Sequence, residues 1–409
     1  SFIWVKQIVG YNGDADGLAI KTDRSGNVYT TGVFAGSADF DPGIGAYDLT
    51  SANDFSSSFI WYDVFVSKLD SSGNFIWAKQ FGGYSHDYGR SIAIDNLNNV
   101  YVGGEFEDQN VDFDPGTNTF YLSAEMIDAF ISKLDSNGNF IWAKRFGGNQ
   151  PETVYGLSLD KYANVYSTGL FQDTCDFDPS SATFNLPPAS SIDAFITKLD
   201  SSGNFIWAKR VGGAGQWKYN SGKAIATDSS GNIHVAGYFS GSGDFDPGNG
   251  IYNLSAKGNW DTFILKLDST GSFIWAKQIG GFYDETAESL VLDDSGNLYI
   301  TGFFQDTCDF DPSPVINKLV SKGAWDIFVC KLNSSGDLQW AKNMGGTQID
   351  EGTSIAIDSQ ENVYTTGRFI GTADFDPNPG VFNLTMVGGN DIFIHRLSNG
   401  SFVGLKENI

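Results

Sequence analysis

The sequence predicts an all-β chain, specifically a six-bladed β-propeller of four-stranded antiparallel blades with the ring closed by the N-terminal strand. Three observations carry that prediction. One block is read six times, most visibly at Asp-Phe-Asp-Pro strings that start at Asp39, Asp112, Asp176, Asp244, Asp309 and Asp374, with successive starts 64 to 73 residues apart. Each block holds four short strand-like segments joined by turn sequences, with no helical periodicity between them. The 49 Gly among 409 residues, with 41% hydrophobic and 15% aromatic side chains, supply the turns and the core that such a chain needs. A block of this size cannot bury its own faces and needs its neighbours, so the repeat predicts one closed domain over residues 1–400, with 401–409 as a tail or linker.

The second block shows the elements in order. Ser91–Ile94 forms the first strand, and Asp95 with Asn99 closes a hairpin turn, because the Asp accepts backbone N–H groups and Asn or Gly tolerates positive φ. Val100–Gly103 returns antiparallel as the second strand. A polar connection through Asp-Phe-Asp-Pro follows. Asp128–Leu134 is the third strand, Asp135–Asn139 a second tight turn, and Phe140–Lys144 the fourth strand. The middle of the first strand is small in most blocks (Ala19, Ala93, Ser158, Ala226 and Ala356, with Val291 the exception), which suits the crowded lining of a propeller channel. A β-solenoid is the competing all-β repeat, but its coils are shorter and lack two hairpin turns per unit. Phe2–Lys6 repeats a fourth strand ahead of the first complete block and is expected to complete the sixth, whose own strands lie near Ser354–Ile357, Val363–Arg368 and Asp391–Leu397. Closing the ring in this way removes both open sheet edges.

Charge and composition narrow the function. With 25 Lys and Arg against 49 Asp and Glu, a net charge of −24 excludes nucleic acid as a partner. No run of 18 apolar residues occurs, so no membrane-spanning helix is expected. The sequence opens at Ser1 without Met or an apolar leader, as a secreted chain does after removal of its signal peptide. Cys175, Cys308 and Cys330 are too few for a disulfide scaffold and read as small buried residues.

The strings Asp228–Asn232, Asp128–Asn139 and Phe75–Gly83 resemble the SBBP β-propeller repeat family, and the likeness recurs along nearly the whole chain. The Asp-Phe-Asp-Pro variety is similar to secreted repeat proteins of Bacteroidota that leave the cell by the type IX secretion system. In such proteins a phrase similar to Gly404–Asn408 precedes a C-terminal sorting domain. The resemblance implies a propeller fold, though with six units rather than the seven in the family name. It also implies a secreted or cell-surface location and contact with the secretion machinery during export, and it implies no particular activity.

Chemistry requires unlike residues brought together, whereas this sequence offers the same residues once per block. His86, His234 and His395 occupy three different block positions and read as structural. The paired carboxylates Asp39/Asp41, Asp112/Asp114, Asp176/Asp178, Asp244/Asp246, Asp309/Asp311 and Asp374/Asp376 allow two readings. They are either hard-oxygen ligands for Ca²⁺ or turn caps in which one Asp binds backbone N–H groups and Phe fills the core. The Asp-x-Phe pairs that open the third strands, such as Asp128 and Phe130, and the fourth-strand Trp residues read as packing. Unrepeated aromatics in the connections (Trp61, Tyr62, Trp217, Tyr219, Trp260 and Trp325) are the candidate ligand contacts. The expectation is therefore a secreted binding or structural module that is not an enzyme. Its partners would be an extracellular protein or polysaccharide, and the alternative is a lectin that uses the rim aromatics.

Overall fold

A computed structural model describes residues 3–11, 13–52, 61–213 and 215–398, and every regular element among them is a β-strand. The tail 401–409, with its Gly404–Asn408 phrase, and residues 53–60 of the long insert lie outside the described residues. The chain divides into two compact units, Ser1–Thr227 and Asp228–Ile409.

The first unit holds three sets of four antiparallel strands, the third of them extended by further strands. In the middle one Asp87–Ile94 pairs with Val100–Glu107, which pairs with Ile127–Leu134, which pairs with Phe140–Phe146. The same order runs through Ala15–Thr22, Val28–Phe34, Asp63–Leu69 and Phe75–Phe81, and again through Glu152–Leu159, Val165–Phe171, Ser190–Leu199 and Phe205–Gly213. The second unit repeats it in Glu285–Leu292, Leu298–Phe304, Asp326–Leu332 and Leu338–Gly346. Its last sheet has three strands, Asp350–Ile357, Val363–Phe369 and Asp391–Leu397.

Each repeat is built around three phenylalanines. Phe113, from the Asp-Phe-Asp-Pro string, lies 5.2 Å from Phe106 at the end of the second strand and 5.0 Å from Phe130 of the third. Phe34, Phe40 and Phe65 repeat the arrangement, as do Phe304, Phe310 and Phe328. These rings are buried, and each contributes about 1.5–3 kcal/mol by leaving water. The connection after the second strand is thus part of the core, which explains why its Phe recurs.

A second constellation ties the first repeat to the second and the second to the third. The Trp77 indole donates to the Ser136 carbonyl at 3.1 Å, and Lys68 Nζ donates to the same oxygen at 3.1 Å. Trp142 and Lys133 treat Ser201 alike. The Trp packs edge-on to a second-strand Tyr, whose hydroxyl donates to the hairpin Asp, as Tyr101 does to Asp95 at 3.2 Å. His234 stands where the other repeats carry this Tyr, buried and 3.4 Å from Asp228, so its structural reading stands.

The N-terminal strand is the element that differs from expectation. Ile3–Ile8 carry no strand; within their unit they have no hydrogen-bonding edge beside them, and Ile3 and Val5 are 82% and 77% exposed. Trp4 nevertheless donates to the Ser71 carbonyl at 3.1 Å, and Val9–Gly10 pair with Asp39 and Ala38. In the second unit Gly280 and Gly281, which end a fourth strand, pair with Asp309 and Cys308 in the same way. The segment therefore holds the place of a preceding repeat's fourth strand without being hydrogen-bonded as one.

Candidate functional site

The Asp-Phe-Asp-Pro carboxylates are engaged by the backbone. Asp112 Oδ1 accepts the N–H groups of Asp114 at 3.1 Å and of Phe120 at 2.8 Å, and Asp114 Oδ1 accepts Gly116 N–H at 2.8 Å. Asp39 and Asp41 make the same set with Asp41, Tyr47 and Gly43. Asp176 and Asp178, Asp244 and Asp246, Asp309 and Asp311, and Asp374 and Asp376 repeat it. Two N–H donors on one oxygen are the surroundings of a turn cap, and an oxygen so engaged is poorly placed to bind a cation as well. Among the described residues no three His, Cys, Asp or Glu side chains are grouped to hold a metal.

The unrepeated aromatics separate into two sets. Trp260 packs 5.3 Å from Tyr238, and Trp325 stacks 4.5 Å from Phe303, each against the second strand of its own repeat. Trp217 and Tyr219 lie in Gly215–Tyr219, which runs parallel to Ser190–Leu199; the Trp217 side chain is outside what the structure describes. Trp61 and Tyr62 are brought together. His86 lies 4.8 Å from Trp61 and stacks on Tyr62 at 5.5 Å, and Tyr62 lies 6.1 Å from Tyr88.

This second set continues into a group of charged side chains. Tyr88 and Arg90 stand on the first strand of the second repeat, Tyr155 on that of the third and Lys223 on Ser221–Thr227. The Arg90 guanidinium lies over the rings of Tyr88 at 4.7 Å and Tyr155 at 5.4 Å, and Lys223 Nζ lies 4.4 Å from the Tyr155 centroid. Arg90 also pairs with Glu105 of the neighbouring strand. That carboxylate holds the guanidinium above its already high pKa, against the pull of burial. Burial and Asp14 and Asp16 raise the Tyr62 phenol, so it is a neutral donor at pH 7. Among the described residues Arg90 Nε, Glu105 Oε2 and His86 Nδ1 are buried without a hydrogen-bond partner.

Sequence reasoning missed Tyr88, Arg90, Glu105, Tyr155 and Lys223. The signal was present, since one first-strand position reads Leu18, Arg90, Tyr155, Lys223, Glu288 and Thr353 down the repeats while its flanking positions stay alike.

Comparison with known proteins agrees with the repeat. Residues 76–105, 206–245 and 339–368 match the SBBP family, a beta-propeller repeat. The chain thus carries SBBP β-propeller repeats in an all-β fold. It is 23% identical to the "Uncharacterized WD repeat-containing protein L264" of Acanthamoeba polyphaga mimivirus over 90% of this chain and 31% of that protein. It is 29% identical to the "Regulatory protein FlaEY" of Caulobacter vibrioides over 30% of this chain and 13% of that one. The chain therefore spans less than a third of the length of these curated relatives. Two solved structures are similar at low scores. One is a protein of unknown function from Bacteroides caccae (9% identity, TM-score 0.36, covering 74% of this chain and 78% of that one). The other is a gluconolactonase from Xanthomonas campestris (12% identity, TM-score 0.35, covering 87% and 93%).

The gluconolactonase corrects the expectation that a chain of this build is not an enzyme. The physical reason is that activity resides in side chains that break the repeat, and such side chains do gather here around Arg90 and Glu105. At these scores the likeness assigns no reaction to this chain.

Proposed function

We propose that the chain is a secreted or cell-surface propeller scaffold for binding, and that its ligand site is the unrepeated cluster around Tyr88 and Arg90. The six repeats are taken as six blades, with the N-terminal segment closing the ring on the sixth. The observation that supports the binding reading is the meeting of half-exposed aromatic rings, Tyr62 and Tyr88, with the part-exposed Arg90–Glu105 ion pair. A sugar ring offers an apolar face for Tyr62 or Tyr88. Its neighbouring hydroxyls both donate and accept, so one pair satisfies a carboxylate and a guanidinium together. This favours the lectin over a purely protein-binding surface.

Titration calorimetry with chitin, β-glucan and α-glucan oligosaccharides tests the reading. Binding to at least one of them is expected, with a loss of at least tenfold in both Tyr88→Ala and Arg90→Ala, each of which still melts cooperatively. Absence of binding to all three, or binding that survives both substitutions, transfers the role to a protein partner.

A further inference from the structure

The five boundaries between consecutive repeats each bury two acidic or amide side chains against a glycine pair. At the first, Asp63 opens a third strand and Asp87 opens the next repeat's first strand; both carboxyl groups are 0–1% exposed. Gly83 N–H donates to Asp87 Oδ2 at 2.6 Å and Ala52 N–H to Asp63 Oδ2 at 2.9 Å, which leaves Asp63 Oδ1 buried without a partner. The two groups meet over Gly82, where a Cβ would fall 2.6 Å from Asp63 Cγ and 2.9 Å from Asp87 Oδ2. Asp128 with Glu152, Asp261 with Glu285, and Asp326 with Asp350 repeat the arrangement. Asp128 Oδ1, Glu152 Oε1, Glu285 Oε1 and Asp326 Oδ1 are likewise buried and unpartnered.

One boundary shows what the others contain. Opposite Asp193 the chain has Asn220, which accepts Gly213 N–H through Oδ1 at 3.1 Å, as the acids accept theirs. Its Nδ2 then donates to Asp193 Oδ1 at 3.0 Å. An amide is the neutral isostere of a protonated carboxyl group, with a donor where the acid carries its O–H.

We propose that at the four acid–acid boundaries the paired carboxyl groups share one proton, the protonated acid donating to the other's oxygen as Asn220 donates to Asp193. The proton supplies the missing donor for the buried oxygens and removes one charge from a site that cannot hold two.

Burial sets the direction, pushing Asp63 up to about 7, Glu152 to about 9, Glu285 to about 8 and Asp326 to about 7. The charged groups that face the pairs are few. Glu107 adds to the rise at Asp87; Arg145, which is ion-paired with Asp128, favours ionisation of Asp128 and Glu152, while Glu125 opposes it at Asp128 and Asp173 at Glu152; and Lys257 favours and Asp284 opposes that of Glu285. At Asp326, Lys322 favours ionisation and Asp350 opposes it. A carboxyl whose folded pKa lies above its unfolded value binds a proton on folding, so its stabilisation is present in mild acid and is lost as pH rises through the folded value.

The test is the melting temperature from pH 5 to 9 for the whole chain and for Asp87→Asn and Asn220→Asp. Wild type is expected to melt several degrees lower at pH 9 than at pH 6. Asp87→Asn, which installs the donor permanently, is expected to flatten that slope, and Asn220→Asp to steepen it. Infrared spectra of the folded wild type at pH 7 should show the carbonyl band of protonated carboxylic acid, weakened in Asp87→Asn. A melting temperature at pH 9 that rises with Ca²⁺ and falls with EDTA would overturn the proposal in favour of a bound cation. A pH slope unchanged by both substitutions, or the absence of the infrared band, would overturn it outright.

Discussion

Trp4 donates its indole N–H to the carbonyl of Ser71 across 3.1 Å, the same bond that Trp77 makes to Ser136 one repeat later. The N-terminal segment is therefore fixed on the first repeat by the same lock that joins the first repeat to the second and the second to the third. Trp4→Ala is expected to cost about 1–3 kcal/mol, from the lost hydrogen bond and partial loss of packing. Urea unfolding beside Trp77→Ala checks it; no change in midpoint would show that the segment takes no part in the fold.

The phenylalanine trio makes a sharper claim on stability. Phe113 touches Phe81, Phe106 and Phe130 and is 1% exposed. Phe113→Ala should lose about 3–5 kcal/mol, and Phe113→Leu clearly less. Equal losses in the two variants would mean that ring geometry, rather than filled volume, is what matters.

At the Asp-Phe-Asp-Pro strings the prediction separates the cap from the cation. Asp112→Ala is expected to cost about 1–2 kcal/mol, whereas Asp112→Asn, which keeps the accepting oxygen, should cost less than half of that. Melting in EDTA should match melting in Ca²⁺. A calcium-specific rise that disappears in the Asp112→Asn/Asp114→Asn double variant would instead make these strings metal sites.

His234 gives a pH dependence of its own. Burial, then Lys266, lower its pKa from 6.5 to about 4, against the pull of Asp228. The unfolded chain takes up a proton that the folded chain refuses, so this contribution is intact above pH 6.5 and falls away toward pH 4, by up to about 3 kcal/mol. His234→Tyr restores the residue of the other repeats and should flatten stability between pH 4 and 6.5. Denaturant midpoints across that range decide the matter, and a wild-type slope retained in the variant would place the acid sensitivity elsewhere.

The repeated parts of this fold were legible because they announce themselves six times. Hairpins at Asp95/Asn99, the packing role of Phe113 and the structural role of His234 all follow from local chemistry at one block position, whereas the small first-strand series does not hold at the first block, since the register puts Lys21 rather than Ala19 in the place of Ala93. What was hidden depends on alignment between repeats. Arg90, Tyr155 and Lys223 converge because consecutive first strands lie side by side, and no spacing along the chain reveals that. The carboxyl pairs are hidden for the same reason, since Asp63 and Asp87 belong to neighbouring repeats. Ile3–Ile8 carry no strand because a strand sequence needs an adjacent edge, and within their own unit the likeness to Phe75–Phe81 does not supply one.

The lock from Trp to the following Ser carbonyl also bears on how such chains grow. In the first unit it points one way along the sequence, from one repeat to the next, and uses the same atoms at Ser71, Ser136 and Ser201. A duplicated stretch of gene encoding one whole repeat would arrive with a plug at one end and a socket at the other, both already matched to its new neighbours. Copy number can then drift by unequal recombination without any interface being reinvented. Divergence is left to the few first-strand positions, such as Arg90, Tyr155 and Lys223, at which the copies differ.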